Sequence, residues 1–298
     1  MVHLSEETRN TIDSIKYDDN LLVVSSLKGF YYPVKSQGFA IKYVMDGVER
    51  YTLNGCQFPV GAGKYLLSNG VSEGHVEIEE NQYVTGICVN IVPELLAEVV
   101  ASQCRPDTAF MDASLGQFFS TGLFLEQQYD AASTHLGAIL RRLHNAVLRN
   151  EVSREVVNKE FFYTLSEQII VDQIPVFRQL QAIPSIKPIT KKDLYKRVSR
   201  GKELIDELFC HPLTVEAVAK EACMSEYHFF RLFKSVFGQT PNQYMIQKRL
   251  HYAFTLLQKD RTSVSEAAFA SGFSDIFAFS KSFKKHFGYS PSKAFKLV

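Results

Sequence analysis

The last eighty residues of the chain repeat themselves. Val215, Ala219 and Ser225 recur 49 residues later as Val264, Ala268 and Ser274. Phe229, Phe233, Lys234, Phe237, Gly238 and Pro241 recur 50 residues later as Phe279, Phe283, Lys284, Phe287, Gly288 and Pro291. The offset changes by one between the two sets, where a turn tolerates an inserted residue. Stacked solenoids need at least three units, so two copies point to a duplicated module with its own core.

Each copy has the organisation of two helices joined by a tight turn. Thr214 caps a short helix on which Val215, Val218, Ala219 and Ala222 face inward. Cys223-Met224 make the turn. Ser225 caps a second helix, and Phe229, Phe233 and Phe237 share one of its faces at i, i+4 and i+8. Gly238 stops that helix and Pro241 starts the next. In the second copy Ser263 and Glu266 have capping-box spacing. Gly272-Phe273 make the turn, Ser274 or Asp275 caps, and Phe279 and Phe283 face inward. The outward side of each second helix carries Glu226, Tyr227, Phe230, Arg231 and Lys234, then Ile276, Phe277, Ser280, Lys281 and Lys284.

Such a helix fits a DNA major groove, with its first turns at the base edges. Arg231 can fork onto a guanine, while Tyr227, Phe277 and Ile276 can pack on thymine methyls. Lys234 and Lys284 sit one turn further, where phosphates lie. Charge supports the reading. The whole chain carries +1, but residues 191–298 hold 18 Lys+Arg against 10 Asp+Glu and residues 1–190 hold the opposite excess. A basic part joined to an acidic one suggests a nucleic-acid-binding unit attached to something else.

The stretch LTVEAVAKEACMSEYHFFRLFKSVFGQTPNQYMIQKRLHYAFTLL, followed by VSEAAFASGFSDIFAFSKSFKKHFGYSPSKAF, resembles the AraC/XylS family of bacterial transcription regulators. The resemblance covers about the last hundred residues. It rests on GFSD, the Phe-Lys pairs and the Gly-x-Thr/Ser-Pro ends of both copies. It implies two helix-turn-helix units joined by a long helix, here about 241–258, with both recognition helices in successive major-groove segments about 10 bp apart. The base-reading and phosphate residues would be Ser225, Tyr227, Phe230, Arg231, Lys234, Ile276, Phe277, Ser280, Lys281 and Lys284. The implied protein is a transcription regulator, an activator, with double-stranded DNA and RNA polymerase as partners. Cys223 departs from the family, standing where a glycine is usual. Ile276 and Phe277 stand where polar residues are common.

The N-terminal part reads differently. LLVVSSL, FAIKYVM, VERYTL, CQFPV, KYLLS and VTGICVNIV are short β runs. Asp46-Gly47 and Asn54-Gly55 separate three of them as hairpin turns, and Gly61 and Gly63 mark another reversal. In VERYTL, Glu49, Tyr51 and Leu53 share one face and Val48, Arg50 and Thr52 the other. A meander of this kind predicts a small antiparallel β-barrel. It resembles, weakly, the cupin-like sensory domain joined to many AraC-type regulators, which implies a small effector inside the barrel. Phe30, Tyr32, Tyr43 and Tyr51 are candidates to pack on that effector, with Lys42 or Arg50 meeting a carboxylate; Phe39 also reads as lining.

PELLAEVVASQ predicts a helix, and the pattern from 115 to 182 reads as helical throughout, with one helix at roughly 153–172. Leu136, Leu140, Leu143 and Val147 form an apolar stripe that can pair two subunits as a homodimer or pack on the barrel. The expected fold is therefore α+β. A barrel with flanking helices occupies 1–182, a proline-stiffened linker 183–190 with a helix capped at Thr190, and an all-α DNA-binding domain 191–298.

Two other readings are open. A cupin-type metal-dependent enzyme needs several convergent ligands, yet the strand region offers His75, Glu77 and Glu79 on one alternating run, so neither a metal site nor a cofactor is expected. A cysteine-based redox sensor would use Cys56 and Cys88. The five cysteines, Cys56, Cys88, Cys104, Cys210 and Cys223, have no regular spacing, which predicts free thiols in a cytoplasmic protein. No apolar run approaches the ~20 residues of a membrane span, and MVHLSEETRN has no leader-like apolar stretch.

Overall fold

Local turn chemistry and alternating side chains build the first of two units, Met1–Arg178 and Gln179–Val298. The computed structural model describes residues 1–15, 18–35, 38–102, 109–153, 155–185, 187–259 and 262–294. In the first unit, strands β1 (Val2–Leu4), β2 (Leu21–Lys35), β3 (Phe39–Asp46), β4 (Val48–Leu53), β5 (Cys56–Gly61), β6 (Lys64–Ser68), β7 (Glu73–Ile91) and β8 (Gln127–Asp130) form one sheet. Its order is β1-β2-β7-β3-β6-β8, with β4 and β5 as a hairpin on β7. The turns are where the sequence puts them: Gly47, Gly55 and Gly63 all take positive φ, as does Asn54.

The expected barrel is not closed. β1 and β8 end the pairing path among the described residues, and β1 runs parallel to β2 while the other pairs are antiparallel. The two edge strands are short, three and four residues long. What bends the sheet is β7. Its first half pairs with β4 and the end of β2, and its second half with β3 and the start of β2. The register shifts between Lys28 and Phe30, around Gly29 at φ +53°. The concave side encloses an apolar core that includes Val23, Leu27, Phe30, Val44, Tyr51, Leu53, Val76 and Ile78.

Helices α1 (Pro93–Ser102), α2 (Ala109–Ser120), α3 (His135–Leu148) and α4 (Lys159–Gln181) follow. The stretch after 115 is not helical throughout, because Gln127–Gln128–Tyr129–Asp130 pairs with β6 as β8. Those four residues carry no strong β signal of their own and gain strand geometry from the partner. α4 runs well beyond the expected end, past Pro175. On the helical side of the sheet, the Tyr65 hydroxyl donates to Thr134 Oγ1 at 2.9 Å, and Asp172 on α4 accepts the Leu136 N–H at 2.8 Å.

The second unit holds α5 (Pro188–Leu208), α6 (Val215–Glu221), α7 (Glu226–Phe237), α8 (Pro241–Lys259), α9 (Val264–Ala270), α10 (Ile276–Phe287) and α11 (Pro291–Ala294). α5 starts at Pro188, two residues before the expected cap at Thr190; proline at the first helical position suits its fixed φ. Phe229, Phe233, Phe279 and Phe283 are fully buried. α5 passes so near Phe229 that a Cβ on Gly201 would meet the ring at 2.4 Å. Arg249 on α8 donates through Nη2 to the His211 carbonyl at 3.0 Å, satisfying an oxygen just past α5.

Candidate nucleic-acid interface and interior cavity

Both copies of the repeat fold as capped helix-turn-helix units. Thr214 caps α6 by accepting the Ala217 N–H at 3.1 Å, and Ser225 caps α7 by accepting that of His228 at 3.4 Å. In the second copy Ser263 and Glu266 form the full capping box of α9. Asp275 rather than Ser274 caps α10, accepting the N–H groups of Phe277 and Ala278 at 3.1 and 2.8 Å. Gly238 and Gly288 close α7 and α10 in the left-handed region. Cys223 lies in the left-handed region like its counterpart in the second copy: its φ is +53°, against +86° at Gly272. A residue with a Cβ in that region carries backbone strain.

The predicted interface residues share exposed helix surface with few exceptions. Ser225, Tyr227, Phe230, Arg231 and Lys234 are exposed on α7, and Phe277, Lys281 and Lys284 on α10. Phe277 is 81% exposed and Tyr227 71%, unusual for side chains of that size. Arg231 lies over the Tyr227 ring at 5.6 Å, with Nη1 3.4 Å from the hydroxyl, which holds the guanidinium along the helix. Ile276 is placed differently from expectation. It is half-buried against the core of Leu250, Ala253, Phe279 and Phe283, because it occupies the first turn of α10 facing α8. Ser280 is half-buried as well. One neighbour of the site carried no sequence signal: Ser235 donates to the Ala182 carbonyl at 2.7 Å, so the segment before α5 lies along the flank of α7 that bears Arg231.

The concave side of the sheet holds an interior space of about 90 Å³. Of the six predicted effector residues, Phe30, Tyr32, Lys42 and Tyr51 line it. Tyr43 does not, since alternation along β3 sends it to the helical side, where its hydroxyl lies 3.0 Å from His144 Nδ1. Arg50 also points away, pairing with Glu79 at 2.7 Å on the surface. Phe39 packs on Phe119 and Phe124. Ser25, Glu49, Cys88 and Asn90 add polar atoms to the wall, and none of them was among the predicted effector residues. Glu49 shares the Tyr51 face, as the alternation of β4 predicts, and it is buried and accepts a hydrogen bond from the Tyr51 hydroxyl. Burial pushes its carboxyl above the usual range, against the opposing effects of Tyr51 and Lys42.

Leu136, Leu140 and Leu143 are buried within their own unit and Val147 is half-buried. These three leucines therefore pack in the core of their own unit. Among the described residues no group of three or more His, Cys, Asp and Glu side chains is placed to hold a metal ion, and His75 stacks on Tyr31. Cys56, Cys88, Cys210 and Cys223 are in no disulfide, and Cys104 lies outside the described residues. No helix among the described residues is long and apolar enough to cross a membrane.

With two helix-turn-helix units side by side, the second unit has the fold of a DNA-binding domain, and residues 218–296 match the family model described as a helix-turn-helix domain. It is a helix-turn-helix domain, and the relatives that match this chain are named as operon and transcription regulators. The chain is 40% identical over 80 residues to the HTH-type transcriptional regulator AlkR of Acinetobacter baylyi, covering 27% of this chain and 26% of that one. It is 33% identical over 96 residues to the Msm operon regulatory protein of Streptococcus mutans, covering 32% and 34%. The HTH-type regulator YbfI of Bacillus subtilis matches over 80% of this chain and 77% of its own, at 24% identity. Among solved structures, the DNA-binding domain of AdpA in complex with a target DNA is 30% identical, covering 34% of this chain and 90% of that one with a TM-score of 0.33. The match spans between about a quarter and a third of the length of the first two of these relatives.

Proposed function

We propose that the chain is a sequence-specific DNA-binding transcription regulator, an activator, in which α7 and α10 enter successive major-groove segments. The observation that carries this is the pair of capped helices presenting exposed Tyr227, Arg231 and Lys234, then Phe277, Lys281 and Lys284. Arg231, held along α7 by Tyr227, reads a guanine edge, and the lysines one turn on neutralise phosphates. The second helix has apolar residues at its first turn, so it contributes methyl contacts and shape more than hydrogen-bonded readout.

The N-terminal unit supplies regulation through a small effector in the cavity lined by Phe30, Tyr32, Lys42, Glu49 and Tyr51. Two copies of the chain act together, as a homodimer whose surface lies outside the Leu136–Leu143 stripe, and RNA polymerase is the partner of the bound dimer. The protein works in the cytoplasm. The DNA-binding domain extends back to Gln179, since Gln179 Oε1 accepts from the Tyr195 hydroxyl at 2.7 Å and Ala182 is tied to Ser235. A salt titration against sites selected from random DNA tests the reading. Specific binding with a steep salt slope at a selected site is expected. Equal affinity for all sequences at every salt concentration refutes it.

A further inference from the structure

Lys42 and Cys88 face each other directly in the register of β3 and β7. Residues opposed in antiparallel strands point to the same face. Here Lys42 Nζ lies 2.8 Å from Cys88 Sγ. Both line the interior cavity, and Lys42 is the one lysine or arginine among its lining residues. Cys88 is half-buried and stands on the cavity wall. A disulfide between Cys56 and Cys88, the pair a redox sensor would use, is poorly served. Cys56 stands opposite Leu53 at the end of the β4–β5 hairpin and is absent from the cavity wall.

We propose that Lys42 and Cys88 form a reversible covalent bridge when the cavity admits a peroxide. The thiol attacks hydrogen peroxide, the O–O bond breaks, and the sulfur is oxidised by two electrons to a sulfenic acid while one water leaves. The Lys42 amine, having given its ammonium proton to solvent, then attacks the sulfur. The N–S bond forms, the S–O bond breaks, and the hydroxyl departs with an amine proton as a second water. One thiol, one amine and one peroxide thus give one sulfenamide and two waters. Two equivalents of an added thiol reverse it, returning Cys88 and Lys42 and forming the added thiol's disulfide. The bridge removes the cavity's cationic side chain beside Glu49 and ties β3 to β7 at the centre of the sheet. The bridge itself follows from the register and the contact. Only its consequence for DNA binding rests on the regulator reading.

The test is peptide mapping of the full chain by mass spectrometry after brief treatment with hydrogen peroxide, under non-reducing conditions. The expected product joins the peptides containing Lys42 and Cys88, two hydrogens lighter than their sum, and dithiothreitol restores both. Lys42→Arg keeps the charge but removes the nucleophile, so Cys88 should then proceed to the sulfinic acid, which dithiothreitol cannot reverse. Three results overturn the proposal: Cys88 as sulfinic acid in the wild-type chain with Lys42 unmodified, a Cys56–Cys88 disulfide, or an unmodified Cys88 under conditions that oxidise the exposed Cys223. If the variant fails to fold by circular dichroism, the wild-type map decides alone. A bridge that forms without altering affinity for a selected DNA site would separate the chemistry from the regulator reading and leave the bridge standing.

Discussion

Replacing Cys223 by glycine should stabilise the C-terminal unit, and replacing its counterpart Gly272 by alanine should do the reverse. Both positions are left-handed, at φ +53° and +86°. That conformation costs a residue with a Cβ about 1–2 kcal/mol. Glycine escapes the cost but adds about 0.5–1 kcal/mol of unfolded-chain freedom. Little else changes at Cys223. The side chain is exposed, its sulfur is 3.9 Å from the Glu221 carbonyl, and the bond from Arg197 Nη1 goes to the backbone oxygen that glycine keeps. The net gain is about 0.5–1 kcal/mol, or roughly 2–5 °C in the melting of this unit. At Gly272 a Cβ would sit 2.7 Å from the Cys210 carbonyl oxygen, a backbone atom that cannot step aside. Left-handed strain and that overlap together should cost roughly 2–4 kcal/mol. Differential scanning calorimetry of the full chain, with specific DNA added to mark the transition of the binding unit, reads both. A lower melting temperature for Cys223→Gly, or an unchanged one for Gly272→Ala, refutes the assignment of strain to these turns.

Four further outcomes can be checked. Arg231→Ala should cost about 1–3 kcal/mol at a selected site and relax specificity at one base pair, while Lys234→Ala weakens all sequences alike and lowers the salt slope by about one; equal, sequence-blind losses in a binding titration would remove Arg231 from base reading. Glu49→Gln should flatten the pH dependence of the N-terminal unit's stability: burial raises the folded carboxyl's pKa above its unfolded value, so the wild type loses stability as pH rises through that range and the variant does not. Asp206 behaves oppositely. Burial pushes its carboxyl up, but hydrogen bonds from Lys202, Tyr244 and Lys248 outweigh it and hold the pKa low, so its contribution is present above about pH 4 and fades as acid protonates the folded group; Asp206→Asn should remove that acid limb and cost about 1–3 kcal/mol at neutral pH in urea titrations. Leu140→Glu should unfold or severely destabilise the first unit, because the leucine is fully buried and a charge there has no partner; a folded monomer by sedimentation and circular dichroism would return the stripe to an interface.

The sequence by itself determined everything that short-range chemistry encodes. The 49- and 50-residue offsets, the caps at Thr214, Ser225 and Ser263, and the stops at Gly238 and Gly288 are written within a few residues of the atoms they satisfy. The hairpin turns at Asp46-Gly47 and Asn54-Gly55 are equally local. The alternation in β4 was legible too, with Glu49, Tyr51 and Leu53 all buried. What only the tertiary structure decided is which side of each element meets which partner. Alternation says that Lys42 and Tyr43 point to opposite faces, but not that the lysine faces the cavity and the tyrosine faces His144 on α3. The leucine stripe of α3 looks the same whether it meets a second subunit or its own sheet. Gln127–Asp130 becomes a strand only because β6 offers an edge, and the pairing path ends on β1 and β8 rather than closing. The contact between Lys42 and Cys88 spans 46 positions and depends on the register of β3 against β7. Register is fixed by the sum of side-chain packing across the whole sheet, and no short window of sequence contains that sum.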